Sequence, residues 1–279
     1  MPGAEYTIRP FASTEDYRAC VELQEDTWGA GFSERVSPAI LKVSQILGGV
    51  ASGAWDETGR LVGFVFGMTG LRDGRVVHWS DMLAVRPEAR DAGLGRRLKE
   101  YQRTDVLSRG VDTMFWTFDP LQSRNAHLNV TRLGAVVREY RVDMYGESDS
   151  PLHQGIGTDR FVSLWLLDSE RVEARLAGAE PDAYADAPFA LPAAGADPRG
   201  HPRPGTPDTS LGNDAVRVVI PSDVGSLMDD DMELAVAWRA ATRTALTHYL
   251  DAGYQVEEFE RGRSTSAYVL KRMPSGERR

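Results

Sequence analysis

The sequence predicts an α/β fold: a mixed central sheet, part antiparallel meander and part parallel crossover, flanked by helices and followed by a small βαββ unit. Three observations carry this. Apolar runs at Val50 to Trp55, Leu61 to Gly70 and Val76 to Val85 are joined by the turn-rich Asp56-Glu57-Thr58-Gly59 and Arg72-Asp73-Gly74-Arg75, which read as antiparallel hairpins. A helical period over Gly93 to Ser108 then precedes a strand at Val111 to Phe118, the signature of a right-handed parallel crossover. Beyond a proline-rich stretch, the strand Ala215 to Pro221, a helix of about 232–250 and two closing strands form the βαββ unit.

Taken in order, Tyr6 to Phe11 alternates briefly and meets a proline at Pro10, as a short strand does. Ser13 or Thr14 caps a helix running to Trp28, and Ser37-Pro38 opens a second, carrying Ile40, Leu41, Val43, Ile46 and Leu47 until Gly48-Gly49 ends it. After the meander and crossover, a helix over Ser123 to Leu133 is closed by Gly134, and Ala135 to Tyr145 and Phe161 to Leu167 are strands. Between Pro181 and Pro207 lie seven of the fifteen prolines, with no apolar period. The organisation expected is a domain over 1–167, a linker or surface excursion over 168–213, and the βαββ unit over 214–279, docked on the first domain or on a second subunit because alone it buries little.

Composition bounds the function. In 279 residues, 42% apolar and 26% charged content is that of a globular protein, and a net charge of −9 argues against general nucleic-acid binding. The single cysteine, Cys20, excludes an internal disulfide and reads as a small buried residue. Five scattered histidines have no ligand spacing, so no metal is expected. No basic segment precedes an apolar core at the N-terminus, and no run approaches the ~20 apolar residues of a membrane span, so a cytoplasmic protein that binds no membrane is expected.

Chemistry concentrates where the third meander strand ends. Arg90-x-x-Gly93-x-Gly95 follows Asp81-Met82-Leu83-Ala84-Val85-Arg86-Pro87 and opens a helix, so the backbone N–H groups of Asp91, Ala92, Gly93, Leu94, Gly95 and Arg96 form an anionic pocket at a helix N-terminus. A phosphate-bearing cofactor is the reading; a dinucleotide fingerprint and a P-loop are both missing. With the later Arg132-Leu133-Gly134, this context resembles the GNAT-type N-acetyltransferase superfamily over about residues 5–167, and the C-terminal extension lies outside it.

That resemblance implies acetyl-CoA or another acyl-CoA as cofactor. The pyrophosphate sits on the helix start with Arg90 beside it, and the pantetheine arm pairs with the backbone of Leu83, Ala84 and Val85 where that strand splays from its neighbour. Direct acyl transfer to an amine needs a base, and Asp81 is the first candidate, on the strand that carries the thioester and sharing a face with Trp79 and Leu83 by period-two alternation. Asp119, past the next strand, is second and doubles as an acceptor contact.

At the position where many family members carry a proton-donating tyrosine stands Val130, which has no proton to give, so Tyr140 or Tyr145 takes the role or water does. Asn125 and Asn129, four apart on one helix face, reach the pantetheine or the acceptor. The loop 146–160 lies where the family builds its acceptor pocket. Arg160 there suits an acceptor carboxylate or pairs with Asp159, and Arg239 and Arg243 invite the same idea. The expected reaction is N-acetylation of a small amine such as an amino acid, by a chain that is a possible homodimer. The rivals are a longer donor such as succinyl-CoA and a non-catalytic acyl-CoA sensor.

Overall fold

The computed structural model describes residues 5–30, 32–90, 93–146 and 155–274. β1 (Thr7–Pro10) ends at its proline and leads into α1 (Thr14–Trp28), which Ser13 and Asp16 start as a reciprocal capping box. Ser37 caps α2 (Pro38–Ile46), whose proline sits in the first turn. The meander is β2 (Val50–Trp55), β3 (Leu61–Arg72) and β4 (Arg75–Val85). A 3-10 turn, Pro87–Ala89, precedes α3 (Leu94–Leu107) and β5 (Thr113–Phe118). Next come α4 (Ser123–Ala126), which widens into a π-helical turn at His127–Arg132, β6 (Val136–Arg141), β7 (Arg160–Leu166) and α5 (Glu170–Leu176). β8 (Phe189–Leu191), β9 (Ala193–Ala196), β10 (Pro202–Pro204) and β11 (Ala215–Pro221) follow. The chain closes with α6 (Val224–Asp230), α7 (Met232–Asp251), β12 (Tyr254–Glu260) and β13 (Thr265–Arg272).

The chain divides into two compact units, residues 1–116 with 166–168 and residues 117–165 with 169–279. In the first, β1, β2, β3 and β4 pair antiparallel in sequence order and β4 pairs parallel with β5, the mixed sheet that the sequence predicts. One core gathers Phe11, Cys20, Leu23, Leu41, Phe64 and Phe66 between the sheet and α1 and α2. Cys20 is wholly buried and burial pushes its thiol up to about 12, so it is inert filling. Of the apolar residues in α2 only Leu41 turns inward; Ile40, Val43, Ile46 and Leu47 stay exposed.

In the second unit the order is β7, β6, β12, β13, β11, β8, antiparallel except for the parallel β11–β8 pair. β12 joins β6 at Val256 and Val137, so the C-terminal strands continue the sheet of β6 and β7 and share one core with Val130, Phe161, Trp238 and Tyr249. β6 stops at Arg141, short of the Tyr145 expected from its alternation, because Asp143 takes a left-handed φ of 44° that ends the strand.

The stretch 168–213 carries α5 and three short strands. Its prolines lack N–H groups but keep their carbonyls, and buried rings of the C-terminal elements donate to this stretch: Trp238 Nε1 to Pro202 O at 2.8 Å, Tyr249 Oη to Asp208 O at 2.8 Å and Tyr254 Oη to Asn213 O at 2.6 Å. Among the described residues no helix is long and apolar enough to cross a membrane.

Beneath the sheet of the first unit runs a buried polar chain. Thr69 Oγ1 donates to Gly48 O at 2.7 Å, so it accepts from His78 Nδ1 at 3.1 Å; His78 Nε2 then accepts from Gln102 Nε2 at 3.0 Å, and Gln102 Oε1 accepts from Lys99 Nζ at 3.3 Å. These bonds fix His78 as a neutral ring, and burial, with Lys99 and Arg109 adding repulsion, lowers its pKa to about 3. Burial also holds the Lys99 pKa well below its ordinary value, although its Nζ lies 3.8 Å from the Trp116 ring centroid in a contact that favours the ammonium; desolvation outweighs one ring face. The unfolded chain binds a proton at His78 below pH 6.5 where the folded chain does not, so stability falls as pH drops from 6.5 towards 3, by up to about 1.4 kcal/mol per pH unit from this group. Denaturant unfolding at stepped pH should show His78→Gln losing less stability on acidification than the parent; equal losses would rule out a neutral buried ring.

Candidate functional site

The first unit places the residues expected to hold a cofactor, and one extra residue organises them. On β3, Phe66 faces Met82 and Gly67 faces Ser80, which leaves Asp81 of β4 unmatched as a bulge. On its other side β4 pairs with β5 only at His78 with Met114 and Trp79 with Phe115. Past the bulge, Leu83, Ala84 and Val85 keep β3 on one edge while the β5 pairing has stopped, and the Arg90 Nε donates to Val85 O at 3.0 Å. This is a splayed strand with its backbone open on one side.

Strict alternation puts Trp79, Asp81 and Leu83 on one face, and the bulge overturns that. Asp81 stays beside Trp79, whose side chain hydrogen-bonds its carboxylate. Leu83 turns to α3, where a Cβ on Gly95 would meet its Cδ2 at 3.8 Å, while Met82 and Ala84 enter the core with Leu23 and Leu41. Crowding by surrounding protein raises the Asp81 pKa, the Trp79 bond opposes the rise, and Glu34 adds to it. The side chain is nevertheless reached by solvent, as for a carboxylate crowded in a concavity.

Asp91 and Ala92 lie outside the described residues. Gly93 holds a left-handed φ of 71° as the N-cap of α3 and supplies no side-chain cap. The first backbone bond of the helix runs from Arg97 N–H to Gly93 O, so the amides of Leu94 and Gly95 precede the helix's own hydrogen-bond ladder. Gly95 costs a helix roughly 1 kcal/mol relative to alanine. Nothing in the fold asks for it, since a Cβ there would make only an ordinary contact. Its missing side chain leaves room at the helix start. Arg96 pairs with Glu100 at 2.6 Å and Arg97 donates to Tyr6 O at 3.0 Å, whereas Arg90 is exposed.

The second unit holds the remaining candidates in a charged network. Asp119 is buried; its Oδ1 accepts from the Leu121 amide at 2.8 Å and its Oδ2 from Arg239 Nη2 at 2.6 Å, while Arg239 Nε donates to Ile156 O at 3.1 Å. Asp159, also buried, accepts from Arg243 Nε and Nη2 at 2.8 and 2.7 Å and from the Tyr140 hydroxyl. Burial works against ionisation of Asp159, but the Arg243 and Tyr140 bonds prevail and its pKa is lowered. Burial and the neighbouring Asp159 charge raise that of Tyr140. Tyr145 is exposed, with its hydroxyl 2.9 Å from Thr117 Oγ1. Arg160 is buried, donates to Asp159 O at 2.8 Å and lies 5.2 Å from the Tyr145 ring.

The π-helical turn corrects a second expectation. Its wider turn breaks the four-residue phasing, so Asn125 is exposed and Asn129 is buried, and they share no helix face. Val130 is fully buried in the core. Much of the expected acceptor loop, residues 147–154, lies outside the described residues. Sequence reading missed the partnership of Arg239 with Asp119 and of Arg243 with Asp159; pairs separated by 120 and 84 positions leave no local signal.

No protein-family model matches the chain, and no curated protein sequence does. Solved structures do. A GNAT-family acetyltransferase of Streptococcus pneumoniae has 19% identity and a TM-score of 0.47 over 58% of this chain and 99% of its own. An acetyltransferase of Salmonella typhimurium with its cofactor acetyl-CoA has 21% identity and 0.48 over 64% and 99%. In the NatC complex bound to Gag peptide and CoA, one chain has 16% identity and 0.47 over 58% and 98%. These neighbours are GNAT-family acetyltransferases. At such identities and scores the likeness assigns this chain no substrate.

Because Val130 fills a packed core, Val130→Tyr should cost about 1–3 kcal/mol through overpacking. Thermal unfolding of the variant measures it, and an unchanged midpoint would mean that room for a tyrosine exists there.

Proposed function

We propose that the chain is an acyl-CoA-dependent N-acyltransferase of GNAT type, an acetyltransferase in its simplest form, acting by direct transfer onto the amine of a small metabolite such as an amino acid. The observation that carries this reading is the Asp81 bulge: it ends the β4–β5 pairing and leaves an open strand edge that leads to a helix start without a cap. When bound, acyl-CoA supplies the thioester whose acyl group is transferred. The amides of Leu94, Gly95 and Arg96, with Arg90, suit its pyrophosphate, and the backbone of Leu83 to Val85 suits its peptide-like arm. Asp81, with its raised pKa and solvent access, suits the removal of a proton from the incoming ammonium.

For the leaving thiolate, Tyr145 is the better placed acid: its side chain is exposed, whereas the Tyr140 hydroxyl is committed to a hydrogen bond it donates to Asp159. Asp119 and Arg160 are proposed as acceptor contacts, and Asn125 and Asn129 as contacts of the cofactor arm. A second reading, acyl-CoA binding without turnover, draws on Val130 in the core and on the commitment of Tyr140. Thiol release from acetyl-, succinyl- and longer acyl-CoAs with pooled amino acids, amines and short peptides separates the two. Tight acyl-CoA binding with no thiol release favours the second.

Gly95→Glu should weaken acyl-CoA binding at least tenfold, about 1.4 kcal/mol or more, with little change in melting temperature. Undiminished affinity by calorimetry would remove the cofactor from this helix start. Asp81→Asn should lower kcat about 100-fold and leave acyl-CoA affinity intact. In the parent, kcat should fall as pH drops through the raised Asp81 pKa, because the base becomes protonated; a variant that keeps this acid limb would acquit Asp81.

A further inference from the structure

The sheet of the second unit carries a cavity of about 400 Å³, the size of a small-molecule site. Its floor is apolar. Val219 of β11 and Ala267 of β13 are partners across the ladder and line it side by side, with Phe189 of β8 and Pro192 completing the floor. Phe189 is 44% exposed, a large ring left open to water. Arg217, its partner on β11, lies with its guanidinium 4.2 Å from the ring centroid, which fixes the ring where it lines the cavity.

The charged groups at this cavity are unequally committed. Arg217 is spent: its Nε and Nη2 donate to Ala187 O and Ala185 O at 2.8 and 2.9 Å, and its Nη1 lies 3.7 Å from the Glu260 carboxylate, whose charge it offsets. Arg261 and Thr265 line the same cavity, and among the described residues neither side chain makes a hydrogen bond or an ion pair. The turn that presents Arg261 is held firmly. Ser222 Oγ donates to Gly262 O at 3.0 Å, Gly262 N–H to Ser266 Oγ at 3.4 Å, and Ser222 N–H to Ser264 O at 3.0 Å. A preorganised turn therefore offers an uncommitted guanidinium beside an apolar floor.

We propose that this cavity binds a small monocarboxylate with an aryl body, its carboxylate on Arg261 and its ring on Phe189, Val219 and Ala267. Charge selects the head group. Glu260 is answered by Arg217, which leaves the charge of Arg261 for a ligand, and a planar guanidinium meets a carboxylate through two parallel hydrogen bonds. The floor selects the body, because an aromatic ring packs on Phe189 in an offset or edge-to-face contact and takes its exposed apolar surface out of water. The second unit alone forms this site, which does not rest on the acyl-CoA reading of the first.

Titration of the full chain with phenylacetate, followed by NMR, should shift the methyl resonances of Val219 and Ala267 and saturate. The neutral phenylacetamide should bind about tenfold more weakly, and Arg261→Ser should weaken the acid to the same degree while leaving the amide unchanged. Phe189→Ala should weaken acid and amide alike. Arg261 is exposed, so its variant keeps the parental thermal midpoint. Methyl resonances that stay in place or shift without saturating overturn the proposal. So does an amide that binds as tightly as the acid, or an Arg261→Ser variant with undiminished affinity for phenylacetate.

Discussion

One unmatched residue in β4 governs the first unit. An extra residue bends the strand and increases its twist, so β4 cannot stay parallel to β5, and the side chains beyond it exchange faces. The core depends on that exchange as much as the open edge does. Met82 and Ala84 reach Leu23 and Leu41 because of it, and Leu83 reaches the start of α3. Deleting the bulge would return Asp81 to an ordinary sheet position, pair the strand further, and turn Met82 out of the core.

Charge is handled differently in the two units. The first buries His78 and Lys99 in one polar chain, where burial lowers the pKa of both and holds His78 as a neutral ring. The second pairs its buried ions, Asp119 with the buried Arg239 and Asp159 with the half-buried Arg243. Removing one member of a buried pair leaves the other uncompensated, typically at a cost of several kcal/mol. Substitutions at Arg239 or Asp119 therefore act on folding before they act on anything bound. Asp81, accessible and bonded to a single side chain, can be changed with far less structural consequence.

Much of this was legible in the sequence because it is local. The caps at Ser13 and Ser37, the meander with its two turns, the glycines that open α3 and the helix that Gly253 stops follow from short-range patterns of backbone freedom and apolar spacing. What escaped depends on partners distant in sequence or on small departures from a period. A strict period of two cannot show a bulge, so Leu83 was placed on the wrong face. A strict period of 3.6 cannot show a π-helical turn, so Asn125 and Asn129 were joined. The apolar face of α2 reads as core from its spacing, but only Leu41 has a core to enter.

The proline-rich stretch has a further consequence for how its order can be observed. Its anchors run from indole and phenol groups into backbone carbonyls, and prolines carry no amide hydrogen. Solvent exchange of amides reports the bonded amides there, such as Gly205 to Pro192 O and Asp208 to Ala190 O, but not the prolines themselves. The Trp238 indole hydrogen adds a direct signal at a proline, as a slowly exchanging resonance whose lifetime tracks the docking of Pro202.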